Sequence, residues 1–331
     1  MRRPTGKRRG GRQKGANAIV AAIDLGTNNC RLLVGTQTRN GNLRVMDSFS
    51  RIVRLGEGLA QSGELSEAAI ERAVDALKVC AARLRKNGVQ RTRAIATEAC
   101  RQAHNAHVLL ERVAAEAGID LEIVSSDEEA RIASVGCAPL MDRRFAGALI
   151  FDIGGGSTEI IWMRCNDGTP EVLHAASVPV GVVTLSEKTS TRKLSYLALV
   201  SELMPAFTAV ARAMKEKGAF APKTHHLLGT SGTVTTLAAV ALGLDRYERK
   251  KVDASWHRCD RILAVVDDLV SRDHAGRAKI SCIGEERAEL VVPGCAIFGA
   301  IHAQWPCAQL RVADRGLREG MLRELMAETR A

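Results

Sequence analysis

Beyond its first residues the chain alternates between short apolar runs and longer segments of helical period. ANAIVAAIDLGTNNCRLLVG (16–35) reads as an apolar strand, a turn at Leu25 to Asn28 and a second strand starting near Cys30, which together make a hairpin. In 66–87, SEAAIERAVDALKVCAARLRKN, Ile70, Val74, Leu77, Ala81 and Leu84 fall on one helical face, with Ser66 as N-cap and Gly88 as the C-terminal stop. A strand over 92–96, a helix over 98–117 stopped by Gly118, a strand over 119–124 and a helix capped by Ser126 follow. Strand alternating with helix predicts an α/β domain.

The second half restarts the same grammar. GALIFDIGGGSTEIIWM (147–163) is again an apolar strand, an aspartate, a glycine turn with a hydroxyl residue, and an apolar strand. Asp24 matches Asp152 and Gly26 matches Gly154, while Thr27 matches either Gly155 or Ser157. This weak internal repeat predicts two related domains facing each other, over 16–140 and 141–316, with the last helix (317–331) packing back on the first. Between them lie a helix over 195–217, a strand over 225–228, the turn GTSGT, the helix TVTTLAAVAL, helices over 256–271 and 285–304, and a strand over 310–313.

Composition narrows the class. With 331 residues, 46% hydrophobic and 25% charged, the chain can bury two cores. Nine cysteines, none in a C-x-x-C pair, point to reduced thiols in a cytoplasmic protein and away from a disulfide framework or zinc site. Apolar runs such as 18–23, ended by Asp24, are too short for a membrane span. Net charge is +10, and residues 1–15 carry seven cations and no acid. This basic tail is expected to be disordered, either as a solvated arm or as an anchor for a polyanion. Aromatics are 3% of the chain and absent from the tail, which argues against base stacking on a specific nucleic acid.

Three glycine turns each follow an apolar strand: DLGTNN, DIGGGST and LLGTSGT. Glycine weakens a strand, but bare backbone lets N–H groups approach a phosphate. Gly26 and Thr27, then Gly154, Gly155, Gly156, Ser157 and Thr158, then Ser231, Gly232 and Thr233 are the candidate phosphate binders. Asp24, Asp152 and Glu159 are candidates to hold a magnesium ion that neutralises the phosphates; the alternative for the aspartates is capping of their own turns. In SDEE, Ser126 as N-cap and Glu129 at N3 would form a capping box, and Glu128 can pair with Arg131. Spacing alone does not assign a catalytic role to either glutamate. His104 and His107 read as helix surface.

IDLGTNNCRLL, ATEACRQAHNA, VSSDEEARIASVG, IFDIGGGSTEI, LLGTSGTVTTLAA and DRGLREGML resemble, in order and spacing, the exopolyphosphatase and guanosine pentaphosphate phosphohydrolase family, Ppx/GppA. The resemblance implies duplicated ribonuclease-H-like domains of the actin-like, sugar kinase and Hsp70 superfamily, enclosing a phosphate cleft. It implies that Asp24, Gly26, Thr27 and Asn28 form one phosphate loop and Asp152 to Thr158 another. Arg101, in the pattern Arg-x-Ala-x-Asn with Ala103 and Asn105, would contact a substrate phosphate, and Arg31 would reach farther along the substrate. The second acid of Glu-Glu-Ala, Glu129, would be the catalytic base. Asn29 stands where the family usually has Ser or Thr. The chain ends near the close of the second domain, without the helical domains of longer members, which bears on processivity and leaves a homodimer open. The implied reaction is release of terminal orthophosphate from inorganic polyphosphate with magnesium and water as nucleophile. Guanosine pentaphosphate is the rival substrate; an ATP-binding protein of the actin-like fold and a noncatalytic polyphosphate sensor are rivals of another class.

Overall fold

The computed structural model describes residues 18–38, 40–166, 169–192, 195–218 and 220–328; the basic tail, 1–15, lies outside them. The first half runs β1 (Ile19–Leu25), β2 (Asn29–Gln37), β3 (Leu43–Ile52), α1 (Leu59–Ser62), α2 (Glu67–Lys86), β4 (Arg91–Ala96), α3 (Glu98–Gln102), α4 (Ala106–Ala117), β5 (Glu122–Ile123) and α5 (Ser126–Cys137). The second runs β6 (Gly147–Ile153), β7 (Thr158–Asn166), β8 (Thr169–Val178), α6 (Val182–Arg192), α7 (Tyr196–Lys217), β9 (His225–Thr230), α8 (Ser231–Ala241), α9 (Arg249–Val252), β10 (Trp256–Arg258), α10 (Cys259–Ser271), α11 (His274–Ala278), α12 (Glu285–Gln304), β11 (Gln309–Ala313) and α13 (Leu317–Glu328).

The two sheets share one topology. The first has the order β3-β2-β1-β4-β5 and the second β10-β11-β9-β6-β7-β8. In each, an antiparallel three-strand meander continues into parallel strands reached through helices. The second adds only β10, antiparallel to β11 at the edge. This is the duplicated actin-like, ribonuclease-H-like architecture, and its register settles the alignment of the repeat. Asp24 pairs with Arg31 across the first hairpin and Asp152 with Glu159 across the second. Gly26 N–H donates to the Asn29 carbonyl and Gly154 N–H to that of Ser157, each at 2.9 Å. The repeat therefore aligns without a gap: Thr27 matches Gly155, and Asn29 matches Ser157.

Several elements differ from expectation. The helix over 98–117 is two helices, because Ala103 is extended and Asn105 turns its amide to Leu65, accepting from its N–H at 2.8 Å and donating to its carbonyl at 2.9 Å. The helix expected from residue 256 begins at Cys259, since 256–258 pairs with the free edge of β11. The strand over 119–124 shortens to Glu122–Ile123. The N-cap of α5 is Ser125, whose hydroxyl accepts from Glu128 N–H at 3.2 Å, so Ser126 is already helical and Glu128, not Glu129, stands at N3. The edge strands β3 and β8 were not expected at all. β3 is largely exposed, so no apolar run marks it.

Apolar side chains fill one core under each sheet, around Ile23, Leu32, Leu77 and Leu109 in the first and Phe151, Phe207 and Phe298 in the second. α7 is long and apolar enough to cross a membrane. Its buried residues, Leu199, Leu203, Phe207, Val210 and Met214, form a single stripe that packs into the second core. α13 returns to the first sheet, where Leu317, Met321, Leu322 and Leu325 pack with Val20, Leu33 and Ile132. It crosses α5 where glycines let the backbones touch. A Cβ on Gly136 would stand 2.0 Å from the Gly316 carbonyl oxygen, and one on Gly320 would stand 2.0 Å from that of Ile132. Gly320→Ala is accordingly expected to lower the unfolding free energy by about 3 kcal/mol through overpacking. Urea unfolding measures this, and an unchanged midpoint would mean the helices do not cross so closely.

Candidate active site

A cavity of about 410 Å³ opens between the two sheets, at the ends of the parallel strands where the three glycine turns emerge. The first turn is held by its own half: the Thr27 carbonyl accepts from Gly56 N–H, and the Asn28 carbonyl from Val53 and Arg54. The second is held by the start of α6, where the Gly154 carbonyl accepts from Val182 N–H and the Gly155 carbonyl from Val183. With the carbonyls tied back, the N–H groups of Gly155 and Gly156 have no partner among the described residues and line the cavity. The three glycines are not in the left-handed region. They are required by proximity. A Cβ on Gly155 would lie 3.0 Å from Thr27 Cβ and 3.2 Å from Asn28 N, and one on Gly156 would lie 2.7 Å from Thr27 Oγ1. The third turn leads into Ser231, the first residue of α8, whose φ of 74° is left-handed. Such strain at a cavity, beside the unpaired N–H groups of a helix start, is the arrangement that receives an anion.

Seven carboxylates line this space, among them Asp24, Asp152, Glu159 and Glu129. Burial raises the pKa of Asp24 against the pull of Arg31 and Arg318. Asp152 is pushed up to about 6, chiefly by burial and also by Asp24. Glu159, 2% exposed, is pushed up to about 7 by burial and by Asp152, although its Oε1 accepts from the hydroxyls of Ser157 (2.7 Å) and Ser177 (2.9 Å). Burial, then Glu159, hold Glu129 well above the usual carboxylate range despite Arg101.

The adjacent glutamates of α5 therefore part company. Glu128 turns away from the cavity, where Arg131 (2.6 Å) and Arg93 (2.9 Å) pull its pKa down to about 2. Glu129 turns into the cavity, hydrogen-bonded by Arg101 Nη1 at 2.7 Å. Of two acids beside one another, one is held as an anion by two arginines and the other is pushed toward its neutral form by burial.

The structure brings most of the sequence-predicted residues together. Gly26, Thr27, Asn28, Arg31, Gly154 to Ser157, Ser231 and Gly232 line the cavity with Asp24, Asp152, Glu159 and Glu129. Three do not. Thr158 is buried, its hydroxyl donating to the Val180 carbonyl at 2.7 Å. Thr233 lines a smaller adjoining cavity of about 90 Å³. Arg101 stands behind Glu129, its guanidinium engaged by protein groups. Sequence reasoning missed Glu98, Arg287 and Arg318, which line the cavity from three separate helices. Arg318 lies in DRGLREGML, and no spacing rule tells that its side chain reaches a turn so distant in sequence. Among the described residues Arg31, Arg287 and Arg318 make no ion pair or hydrogen bond, so their planar forks are free for phosphate oxygens.

Among the described residues no three His, Cys, Asp or Glu side chains are grouped as a closed metal cage. Magnesium seldom needs one, since it keeps waters and substrate oxygens beside one or two carboxylates. The donor set suits it: oxygen only, anionic, and raised in pKa by burial and mutual repulsion that a cation would relieve.

Stability should report that repulsion. A carboxylate whose pKa is raised on folding favours the folded state below its unfolded pKa, and that contribution is lost as pH rises through the folded value. For Asp152 the window is pH 4 to 6. Asp152→Asn is expected to be more stable than the parent at pH 8 in chelator, by on the order of 1 kcal/mol, and to lose that advantage below pH 4. Thermal unfolding across pH measures the difference; a variant no more stable at pH 8 would mean that the carboxylate is solvated.

Comparison with known proteins finds relatives along most of the chain. The Ppx/GppA phosphatase family matches residues 35–329. The chain is 30% identical over 320 residues to exopolyphosphatase 2 of Mycobacterium tuberculosis, covering 91% of this chain and 97% of that one. To the guanosine-5′-triphosphate,3′-diphosphate pyrophosphatase of Photobacterium profundum it is 29% identical over 322 residues, covering 94% of this chain and 60% of the relative. The crystal structure of the Aquifex aeolicus member of the Ppx/GppA family superimposes with a TM-score of 0.76 at 28% identity, covering 96% of this chain and all of that one. The topology, the facing glycine turns and the family match lead to one conclusion: this chain belongs to the Ppx/GppA phosphatase family.

Proposed function

We propose that the protein is an exopolyphosphatase, hydrolysing the terminal phosphoanhydride of inorganic polyphosphate, with Glu129 as general base. The observation that carries this reading is the divergence of Glu128 and Glu129: only the second faces the glycine turns, and it is the better proton acceptor. The terminal phosphate lies between the first and second turns on backbone N–H groups. Arg31, Arg287 and Arg318 take the charge of the following phosphates. A water beside Glu129 loses a proton to its carboxylate and attacks the terminal phosphorus in line. The bridging P–O bond breaks, orthophosphate leaves, and the shortened chain keeps the bridging oxygen. One or two of Asp24, Asp152 and Glu159 would hold magnesium, whose chemistry is to neutralise phosphate oxygens as charge moves to the leaving group. The free, buried thiols support a reducing compartment, so we place the enzyme in the cytoplasm.

The 5′ end of guanosine pentaphosphate is the second reading. The turns offer contacts only to phosphate, so both substrates fit them. The adjoining cavity, walled by Leu237, Leu269, Leu290 and Val291, gives an apolar place that a phosphate chain has no group to fill. Orthophosphate release from long polyphosphate, short polyphosphate, guanosine pentaphosphate and ATP, assayed in parallel with magnesium, separates the two. Glu129→Gln should lower turnover by about 10²- to 10⁴-fold on the preferred substrate. Glu128→Gln should stay within a few-fold. An exchange of the two effects would move the base to Glu128, and undiminished turnover in both would remove α5 from the chemistry.

A further inference from the structure

Arg101 is hydrogen-bonded to two cavity-lining carboxylates, and so far only Glu129 has a role. Its Nη1 donates to Glu129 Oε2 at 2.7 Å and to the Val124 carbonyl at 3.0 Å, while Nε and Nη2 both donate to Glu98 Oε2, at 2.9 and 2.6 Å. The other oxygen of Glu98 accepts from Gln102 Nε2 at 2.6 Å. An arginine has five N–H donors, so this one is almost fully committed. The side chains are well shielded, at 15% exposure for Arg101, 13% for Glu98 and 12% for Glu129. The one-turn helix α3 puts Glu98 and Arg101 on one face at i, i+3 spacing. Glu98 also reaches the opposite half: its Cγ lies 3.1 Å from where a Cβ on Gly156 would stand.

We propose that Glu98 is a positioning residue: by clamping Arg101 it fixes the aim of the Glu129 carboxylate and shares the guanidinium charge that would otherwise fall on Glu129 alone. This rests on Glu129 being the base. The charged groups facing Glu129 are Arg101 from α3, Glu159 from β7 and Asp24 from β1, with Glu98 acting through Arg101. A single guanidinium between two carboxylates leaves the cluster one negative charge in excess, which favours proton acceptance by Glu129. A neutral group at position 98 gives Glu129 the whole guanidinium. It is then more readily ionised and a weaker base. The Glu98 side chain also stands against Gly156 of the second phosphate turn, so the clamp abuts that turn across the cleft.

Two variants of the full chain test this, assayed for orthophosphate release from polyphosphate with magnesium across pH. Glu98→Ala should lower kcat by about 10- to 100-fold with KM within a few-fold, the usual size of a lost supporting contact. In both Glu98→Ala and Glu98→Gln the acid limb of kcat should move to lower pH, by about one unit, because Glu129 must be ionised to act and its pKa falls. Glu98→Gln keeps the shape and one acceptor oxygen, so it should recover part of kcat and none of the limb. If Glu98→Ala does not fold, the limb of Glu98→Gln decides alone. An unmoved limb, or a raised KM at constant kcat, overturns the clamp. Full turnover in Glu129→Gln would overturn the base assignment itself, which an inactive Glu129→Gln beside an unmoved limb would not.

Discussion

Two glycine turns from opposite sheets meet with no room for a side chain between them. The position a Cβ would take on Gly155 is already within 3.2 Å of the backbone of Asn28. That approach fixes how the halves face one another, and the rest of the site follows from it. The carbonyls of each turn are tied back into their own half, so the N–H groups are what remain for a ligand. The glycine crossing of α5 and α13 adds a second close approach, with α13 packed on the first sheet and α5 on the second. A fold that needs bare backbone at both places has little freedom to drift.

The same closeness gathers like charges. Asp24, Asp152, Glu159 and Glu129 share one buried space and repel one another, which no core would keep for stability alone. Their repulsion has a use if a cation and a polyanion arrive together. Three arginines that make no hydrogen bond or ion pair among the described residues, Arg31, Arg287 and Arg318, line the same cavity. Environment also separates neighbours in sequence: Glu128 is saturated by two arginines, whereas Glu129 shares one with Glu98.

Much of this was legible in the chain. Apolar runs broken by glycine turns marked both hairpins, and the repeated aspartates marked the duplication. What stayed hidden depends on partners far away in sequence. The break at Ala103 needs Asn105 to find Leu65, and β10 needs the edge of β11. β3 and β8 are edge strands, and in β3 most side chains are solvated, so no alternation declared it. The cap of α5 was misplaced by one residue because two serines adjoin and both fit the rule; only geometry chooses Ser125. Arg101 was recognisable by pattern, yet its place behind Glu129 depends on Glu98, whose part no spacing announces. Arg287 and Arg318 reach the cavity only because α12 and α13 fold back to it.

The central claim is that the phosphate sits where the two glycine turns meet, and Gly155 is the residue to test it on. Its Cβ would point at the opposing turn and not into either core, so Gly155→Val should fold with unchanged circular dichroism while wedging the turns apart. The account predicts that orthophosphate release from polyphosphate falls at least about 100-fold, the effect of moving a reacting group by roughly 1 Å. A folded Gly155→Val with full activity would contradict it and place the substrate elsewhere in the cleft.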